Sequence, residues 1–441
     1  MKTGFPLEFT LGLRDRADPG AGMNGVGISA TMIIINDDNN DSAMTNRPHI
    51  LIAGAGIGGL TAALALLRRG FRVSVIEQAR ELAEIGAGVQ ISANGAHALF
   101  SLGLEPALQK VWCEPAGKEI RLWSTGETWK LFDLGSVSRQ RYGAPYFMIH
   151  RADLHRILLD AVKAVSADVL RLGTRATGFE QDERGVTLVC ENGVRIEGDA
   201  LIAADGVHSR IRNALFGEMP AHFTGLLAWR GLVPMKNLPE RLRRLVGTNW
   251  VGPGGHVVHY PLRGGELLNF VGTAERSDWQ VESWTERGTT EEALNDFKDW
   301  NEDVHTIIRN IDVPFKWALL GREPLEQWTK GRVTLLGDAA HPTLPMMAQG
   351  ANMAIEDGVV LARSLDAHAD IPAALKAYEE ARRERTSKLV RAANDNAKRF
   401  HNPALGHAQG AARYVDTEWQ EAKVKQRYDW VFEYDPVRAA I

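Results

Sequence analysis

The run His49-Ile-Leu-Ile-Ala-Gly54-Ala-Gly56-Ile-Gly-Gly59-Leu60-Thr-Ala limits what this chain can fold into more than any other stretch. Its branched apolar start reads as a strand buried on both faces, as parallel strands are. The strand ends in Gly54-x-Gly56-x-x-Gly59, and an Ala-rich segment comes next with Leu60, Leu64 and Leu67 at helical spacing. Each glycine has its own task. The first makes a tight turn, the second lets backbone approach a pyrophosphate, and the third lets helix pack close to strand. Free N–H groups at the helix start then face an anionic ligand. After Gly70 a second strand, Arg72–Ile76, ends at Glu77. That is close to the separation of about 20 residues at which a carboxylate accepts from ribose hydroxyls. Strand, glycines, helix and acid together define a dinucleotide site; by themselves they do not choose between FAD and NAD.

At 441 residues the chain has room for more than one core. Its net charge of −4 and 24% charged residues lack the basic stripe that a nucleic-acid partner needs. With only Cys113 and Cys190 there is neither a disulfide framework nor a thiolate zinc site, and no metal is expected. The cysteine usage fits a reducing cytoplasm. No apolar run approaches the roughly 18 residues of a membrane span, so no membrane partner is expected.

Residues 1–47 differ from the rest: glycine-rich and Asn/Asp-rich patches, including Asp37-Asp-Asn-Asn-Asp41, carry no helical or strand period. They lack the basic start and long apolar middle of a signal peptide, and are expected to be a disordered extension. Past Glu77, Ile85–Asn94 reads as a glycine-rich loop, followed by a helix containing Ala96 to Leu102. Phe147-Met-Ile-His-Arg151 leads into a helix with Leu154, Leu158 and Val162. Glu191-Asn192-Gly193 between two β-like runs is a hairpin signal. Ala200–Asp205-Gly206 is a second strand-to-turn signal, with Ser209 and Arg212 opening the next segment. From Phe223 to about Pro324, β-like runs separated by Gly-Pro-Gly-Gly and Arg-Gly-Gly turns read as an antiparallel layer, with a helical insertion from Glu291 to Arg309. Arg332–Leu336 makes a third buried strand ending in Gly337-Asp338-Ala-Ala-His341-Pro342, and long helices are expected over Asn352–Leu365 and Ala373–Lys398.

The order of Gly54-x-Gly56-x-x-Gly59, Asp205-Gly206-x-x-Ser209-x-x-Arg212 and Gly337-Asp338-Ala-Ala-His341-Pro342 resembles the single-component, class A FAD-dependent aromatic hydroxylases, in particular the salicylate and 3-hydroxybenzoate hydroxylase branch. The resemblance runs from about Pro48 to Lys398. It implies an α/β fold: a Rossmann-like FAD-binding domain with a parallel sheet, an antiparallel substrate-binding sheet layer, and C-terminal helices. In these terms 48–116, 145–222 and 325–398 form a discontinuous FAD-binding domain. Residues 117–144 and 223–324 form the substrate-binding sheet, and 399–441 a tail or helix. It further implies FAD as cofactor, NADH or NADPH as co-substrate, and a small aromatic substrate hydroxylated with O2 through a flavin C4a-hydroperoxide.

Cofactor contacts implied by the resemblance are Gly54, Gly56, Gly59, Glu77, Val89, Arg151, Asp205, Gly206, Gly337, Asp338, Gly350, Ala351 and Asn352. The chemistry is consistent. Asp338 at a strand end can accept from a ribityl hydroxyl, and the helix beginning at Gly350-Ala351-Asn352 can turn its positive end to flavin N1 and C2=O, where reduced flavin carries its charge. Arg151 matches an arginine that reaches the cofactor, and Pro345 a proline beside the flavin edge where oxygen reacts.

On the substrate side, strand alternation puts His256, Val258 and Tyr260 on one face and Val257 and His259 on the other. Relatives of the carboxyphenol branch place a His and a Tyr four residues apart at the active site, which selects His256 with Tyr260 and leaves His259 as substitute. An imidazole takes a phenol proton readily near neutral pH, and the phenolate is an electron-rich ring. Arg230 or Arg263 can pair with a substrate carboxylate. Met346 and Met347 offer a soft apolar lining that suits a benzenoid ring better than a pyridine. Two other classes stay open. A non-hydroxylating FAD oxidase or flavin-bearing ligand sensor would share the first and third motifs without needing Asp205-Gly206 or a base in the pocket; a hydroxylase of N-heteroaromatic rings is the other. Monomer and homodimer are both compatible with the sequence, with Trp419, Trp430 and Phe432 available for a dimer surface.

Overall fold

The structure is a computed structural model that describes residues 47–82, 87–191, 193–276, 278 and 286–441. The extension expected over 1–47 lies outside these residues except for Arg47. That residue belongs to the fold: it pairs with Asp366 (3.0 Å) and lies 4.9 Å over the Phe71 ring.

Strand β1 (His49–Ala53), helix α1 (Ile57–Leu67) and strand β2 (Arg72–Ile76) open the chain as a βαβ unit. Nearly every α1 residue is buried, because helices pack on it from outside as the sheet does from inside. Later come β3 (Gly88–Ile91), α2 (Ala93–Ser101), β4 (Gly117–Leu122), β5 (Thr128–Asp133), β6 (Phe147–His150), α3 (Arg151–Val165) and β7 (Leu170–Arg171). A three-stranded meander, β8 (Ala176–Gln181), β9 (Val186–Cys190) and β10 (Arg195–Gly198), precedes β11 (Ala200–Ala203) and α4 (Arg210–Phe216). Then come β12 (His222–Pro234), β13 (Gly247–Gly252), β14 (Gly255–Leu262), β15 (Leu267–Glu275), α5 (Thr290–Asp296), α6 (Glu302–Arg309), β16 (Phe315–Gly321), β17 (Thr329–Lys330) and β18 (Val333–Leu335). Four helices finish the chain: α7 (Gly350–Ala367), α8 (Ile371–Phe400), α9 (Ala408–Glu418) and α10 (Glu421–Phe432).

The first sheet runs β17-β18-β11-β1-β2-β7, parallel throughout except for the β17 edge. Gly54, Asp205 and Gly337 therefore come directly after three adjacent parallel strands, and the three sequence motifs stand side by side at one edge. The second sheet runs β16-β12-β15-β14-β13-β4-β5, antiparallel except where the β4–β5 hairpin joins β13 in parallel. One face buries Trp229, Val257, Leu268 and Phe270 under α5 and α6. The other turns His256, Val258 and Tyr260 toward the first sheet's side of the molecule, where Tyr260 and Leu262 join the larger core.

Three expectations need correction. The stretch expected as a loop is strand β3 from Gly88 onward, paired antiparallel with β6; residues 83–86 lie outside the described residues. Gly88 is there because a Cβ would stand 2.5 Å from the Tyr260 ring, so its glycine serves close packing rather than a turn. The single helix expected over Glu291–Arg309 is two helices, since Thr289 caps α5 in a reciprocal capping box with Glu292 and Asn301 caps a second start at α6. Of the C-terminal aromatics available for a dimer surface, Trp419 and Phe432 are used internally, while Trp430 stays half-buried beside Arg385 and Lys388. Trp419 packs with Phe400 and Tyr414, and Phe432 with Phe132, Tyr142 and Tyr146.

Helices α7 and α8 are locked by buried charge. Arg382 donates to Asp357 (2.7 Å) and pairs with Glu356 (2.5 Å), all three being fully buried. Arg385 grips Glu356 through two nitrogens (2.9 and 3.0 Å), and Asp357 also takes the Gly337 N–H (3.0 Å) and meets His341 Nε2 at 2.6 Å. Burial pushes the Asp357 carboxyl up, but its contacts with His341 and the Arg382 guanidinium outweigh it and hold it down at about 2. His341 of the third motif is thus an anchor for its own loop.

Candidate active site

The glycine turn has the close approaches that a phosphate cradle needs. A Cβ on Gly54 (φ 108°) would meet the Ala204 carbonyl at 2.3 Å, and one on Gly59 would meet the Gly54 carbonyl at 2.0 Å. Gly56 caps α1 and a Cβ there would meet nothing within 4 Å, so its side is open to a ligand. Glu77 is held in place by two N–H donors, Ala55 (2.8 Å) and Ala79 (2.8 Å). With Ala55, Gly56, Leu82 and His155 it lines a cavity of about 150 Å³ at the carboxyl ends of β1 and β2. His155, which bonds the Ala55 carbonyl (2.7 Å), carries no signal of this role in the sequence. A larger groove of about 720 Å³ around His49, Arg72 and Asp182 lies at the opposite strand ends and is no part of this site.

The second motif is a capped helix start. Asp205 accepts from the N–H groups of Arg210 (2.9 Å) and Ile211 (3.3 Å), while Ser209 Oγ accepts from Arg212 (2.9 Å). Burial raises the Asp205 pKa. Arg212 then donates to the carbonyls of Val207 (2.9 Å) and Ala339 (3.2 Å), tying the Asp205-Gly206 loop to the Gly337-Asp338 loop. The two motifs form one assembly, with Asp205 acting as a cap. Asp338, one residue after Gly337 (φ 63°), is exposed at the strand end and free to accept from a polyol.

The third element is the start of α7, entered through Ala348 in a left-handed conformation (φ 53°). Gly350, Ala351 and Asn352 present first-turn N–H groups, which a helix cannot satisfy internally. The Asn352 side chain is spent on the protein. It donates to Gln90 O (2.9 Å) and Ala348 O (2.9 Å) and accepts from Ser92 N (3.1 Å), which fixes β3, and with it Val89, beside the helix start. Arg151 begins α3, its N–H on the Ala87 carbonyl (2.9 Å). Open cradle, held acid, exposed carboxylate and free helix start suit a flavin dinucleotide. Asp338→Ala is expected to lower FAD affinity by about 1.5–3 kcal/mol, the worth of a hydrogen bond to a charged group; titrating apoprotein with FAD measures it, and unchanged affinity refutes the contact.

On the inner face of the second sheet, register aligns Arg230, Val271, Val258 and Asn249 in one row, Leu232, Asn269 and Tyr260 in the next, and Ala228, Thr273 and His256 in a third. Arg230 is buried, 5.3 Å over Phe315 and 5.5 Å over Trp317. Burial and then the Arg151 charge lower its pKa to about 10. Among the described residues, Asn269 Nδ2 and Thr273 Oγ are buried without a hydrogen-bond partner, although Asn269 Oδ1 takes the Gly88 N–H (2.7 Å). Neither residue stands out in the sequence; only the register reveals that they flank Val271 on this face.

Two substrate-side expectations fail. His259 faces α5 and α6 and accepts from Trp250 Nε1 (3.1 Å), so it is a packing residue on the wrong side of the sheet. Arg263 is engaged by Asp153 through two nitrogens (2.9 and 3.0 Å) and is no free carboxylate receptor. Pro345 is exposed, and Met346 and Met347 after it are buried. Asn396 of α8 fixes this turn by donating to Met346 O (3.3 Å) and the Met347 sulfur (2.8 Å). One helical turn further along α8, Phe400 packs on His256 with ring centroids 5.2 Å apart. The same helix end therefore touches both the Pro345 turn and His256. Lys118, another residue without a sequence signal, lies 4.9 Å over Tyr146, and burial lowers its pKa to about 7.

Burial lowers the His259 pKa to about 3 and that of His401 to about 4. Unfolded histidines titrate near 6.5, so below that pH the unfolded chain binds more protons. Stability is full above about 6.5 and falls with pH toward about 4 for His401 and about 3 for His259. The melting temperature is expected to drop over this range, and less steeply in His401→Gln. A melting temperature flat across the window would contradict the buried neutral rings.

Fold and site together define a flavin-type dinucleotide enzyme, and comparison with known proteins agrees. The FAD binding domain family matches residues 47–393. The 3-hydroxybenzoate 6-hydroxylase of Polaromonas naphthalenivorans (strain CJ2) is 40% identical over 392 residues, 87% of this chain and 95% of that one. The 3-amino-4-hydroxybenzoate 2-monooxygenase PtnB3 of Streptomyces platensis is 38% identical over 89% of this chain and 97% of its own length. A crystal structure of Klebsiella pneumoniae HpxO complexed with FAD and uric acid superposes with TM-score 0.76 at 28% identity, covering 89% of this chain and 97% of that one. The chain belongs to the FAD-dependent aromatic monooxygenase family. Among the described residues no helix is long and apolar enough to cross a membrane.

Proposed function

We propose that this enzyme hydroxylates a phenolic aromatic carboxylate of the hydroxybenzoate or salicylate type. The observation that carries the reading is the inner sheet face, which sets a buried imidazole, His256, in one surface with Tyr260 and the buried guanidinium of Arg230. FAD, held by Gly56, Glu77, Asp338 and the start of α7, supplies when bound the passage of reducing equivalents from NADH or NADPH and the activation of O2. The residues supply the rest. His256 accepts the phenol proton, making the ring electron-rich. Arg230 pairs with the carboxylate, with the Arg151 charge adding to the attraction. Asn269 Nδ2 and Thr273 Oγ offer the substrate polar contacts that the protein leaves unmet. Tyr260 packs against Gly88 and closes the pocket floor, while Met346 and Met347 keep water out beside Pro345. The test is a panel of hydroxybenzoates assayed for stimulated NADH or NADPH oxidation, with peroxide measured in parallel. Strong stimulation with little peroxide is expected from at least one; no stimulation by any, or peroxide equal to all NADH consumed, counts against the assignment.

A further inference from the structure

We propose that His401 and Glu275 form the route by which the phenol proton leaves His256 for solvent; the inference rests on His256 being the base.

His256 is 3% exposed, so a proton it accepts has no direct way out. Its Nδ1 lies 2.7 Å from Nε2 of His401, and the two rings stand 5.0 Å apart between centroids. The second nitrogen of His401, Nδ1, lies 3.3 Å from Glu275 Oε1, and that carboxylate side chain is 57% exposed. Three titratable groups thus run in line from the sheet's inner face to water. The backbone holds them there: the N–H of His401 closes the last turn of α8 on Ala397 O (3.1 Å), its carbonyl takes Gly254 N–H (3.3 Å), and Glu275 N–H goes to Gly254 O (2.8 Å). Val251 and Thr273 flank His256 from the neighbouring strands, and Phe400 covers it from α8. Among the described residues Glu275 is the one carboxylate in ion-pair reach of either ring. Arg399, next to Phe400, is turned to Asn396 (2.7 Å) and Glu418 (3.8 Å).

Nδ1 of His256 being engaged, Nε2 is the nitrogen left for substrate. The phenol O–H bond breaks as Nε2 takes its proton. The Nδ1 proton passes to Nε2 of His401, the Nδ1 proton of His401 passes to the Glu275 carboxylate, and from there to water. One proton leaves the phenol, one reaches solvent, and neither ring keeps a charge. A buried imidazolium is thereby avoided, which matters because burial and the neighbouring ring hold the His256 pKa well below its usual value. Reprotonating the hydroxylated product runs the same chain in reverse and resets both tautomers. His401 and Glu275 are positioning and relay residues that touch no substrate.

The experiment mixes FAD-loaded enzyme with 3-hydroxybenzoate in weak buffer containing a pH indicator and follows proton release by stopped flow. His401→Gln keeps a hydrogen-bonding side chain but cannot relay. It is expected to slow release by at least ~10-fold, short of the 10² or more expected of losing the base itself, with FAD content and benzoate affinity unchanged. Glu275→Gln slows it in the same direction, and added imidazole restores the rate in His401→Gly. Release from His401→Gln at the wild-type rate overturns the relay, as does slowing that only tracks lost benzoate affinity and ignores imidazole. His256→Ala separates the two levels. If that variant is slow and His401→Gln fast, the relay alone fails; if His256→Ala releases its proton normally, the base assignment itself fails.

Discussion

His256→Ala is expected to lower ring hydroxylation by roughly 10²–10⁴-fold, the usual span for removing a general base. FAD content should hold, because the residue sits on the second sheet while the cofactor motifs adjoin strands of the first. Substrate still binds through Arg230, so NADH oxidation should continue and hydrogen peroxide should replace hydroxylated product. Activity should partly recover at high pH, where the phenol ionises without help. His259→Ala is the control, and the structure sharpens what it should do. It leaves the Trp250 indole N–H unpartnered in a buried place, so it should cost about 1–3 kcal/mol of stability without uncoupling the reaction. Uncoupling in the His259 variant and not in the His256 variant would assign the base to the wrong face of β14.

The largest stability effect is expected at Arg382. Replacing it by methionine leaves Glu356 and Asp357 buried, with Arg385 and His341 as their remaining partners. Removing one partner of a buried ion pair typically costs about 3–5 kcal/mol. The loss should also reach the cofactor, since Asp357 holds the Gly337 N–H and Glu356 sits on the helix whose start is proposed to hold FAD. Thermal melting with and without added FAD measures both. Arg382→Lys should recover little, because a single ammonium cannot fork between two carboxylates. A melting temperature equal to wild type in Arg382→Met would mean that the network is not what joins α7 to α8.

The parts legible in the sequence are those whose chemistry is local. Gly54, Gly56 and Gly59 declare themselves because a turn, a phosphate and a helix contact each need a missing Cβ within a few residues of chain. Period-2 alternation likewise separates His256 from His259. What stays hidden depends on long-range register. Gly88 looks like a loop glycine because Tyr260, the ring it makes room for, is far away in sequence. Asn269 and Thr273 read as ordinary strand polar residues until β15 is placed beside β14. His401 carries no motif; it matters only because the end of α8 meets β14. Arg263, plausible as a carboxylate receptor, is lost to Asp153, a partner that no spacing rule connects to it. Phe432 looks like a surface residue for the same reason: its partners Phe132 and Tyr146 lie far away in sequence.

The most direct test of the whole account is oxygen labelling. FAD-loaded enzyme, NADH and each hydroxybenzoate, salicylate included, are incubated under ¹⁸O₂ and the products analysed by mass spectrometry. The account predicts a dihydroxylated ring product carrying one ¹⁸O atom per NADH consumed for at least one of these phenols. NADH consumption that yields only labelled hydrogen peroxide across the panel, with every aromatic ring recovered unchanged, would contradict it.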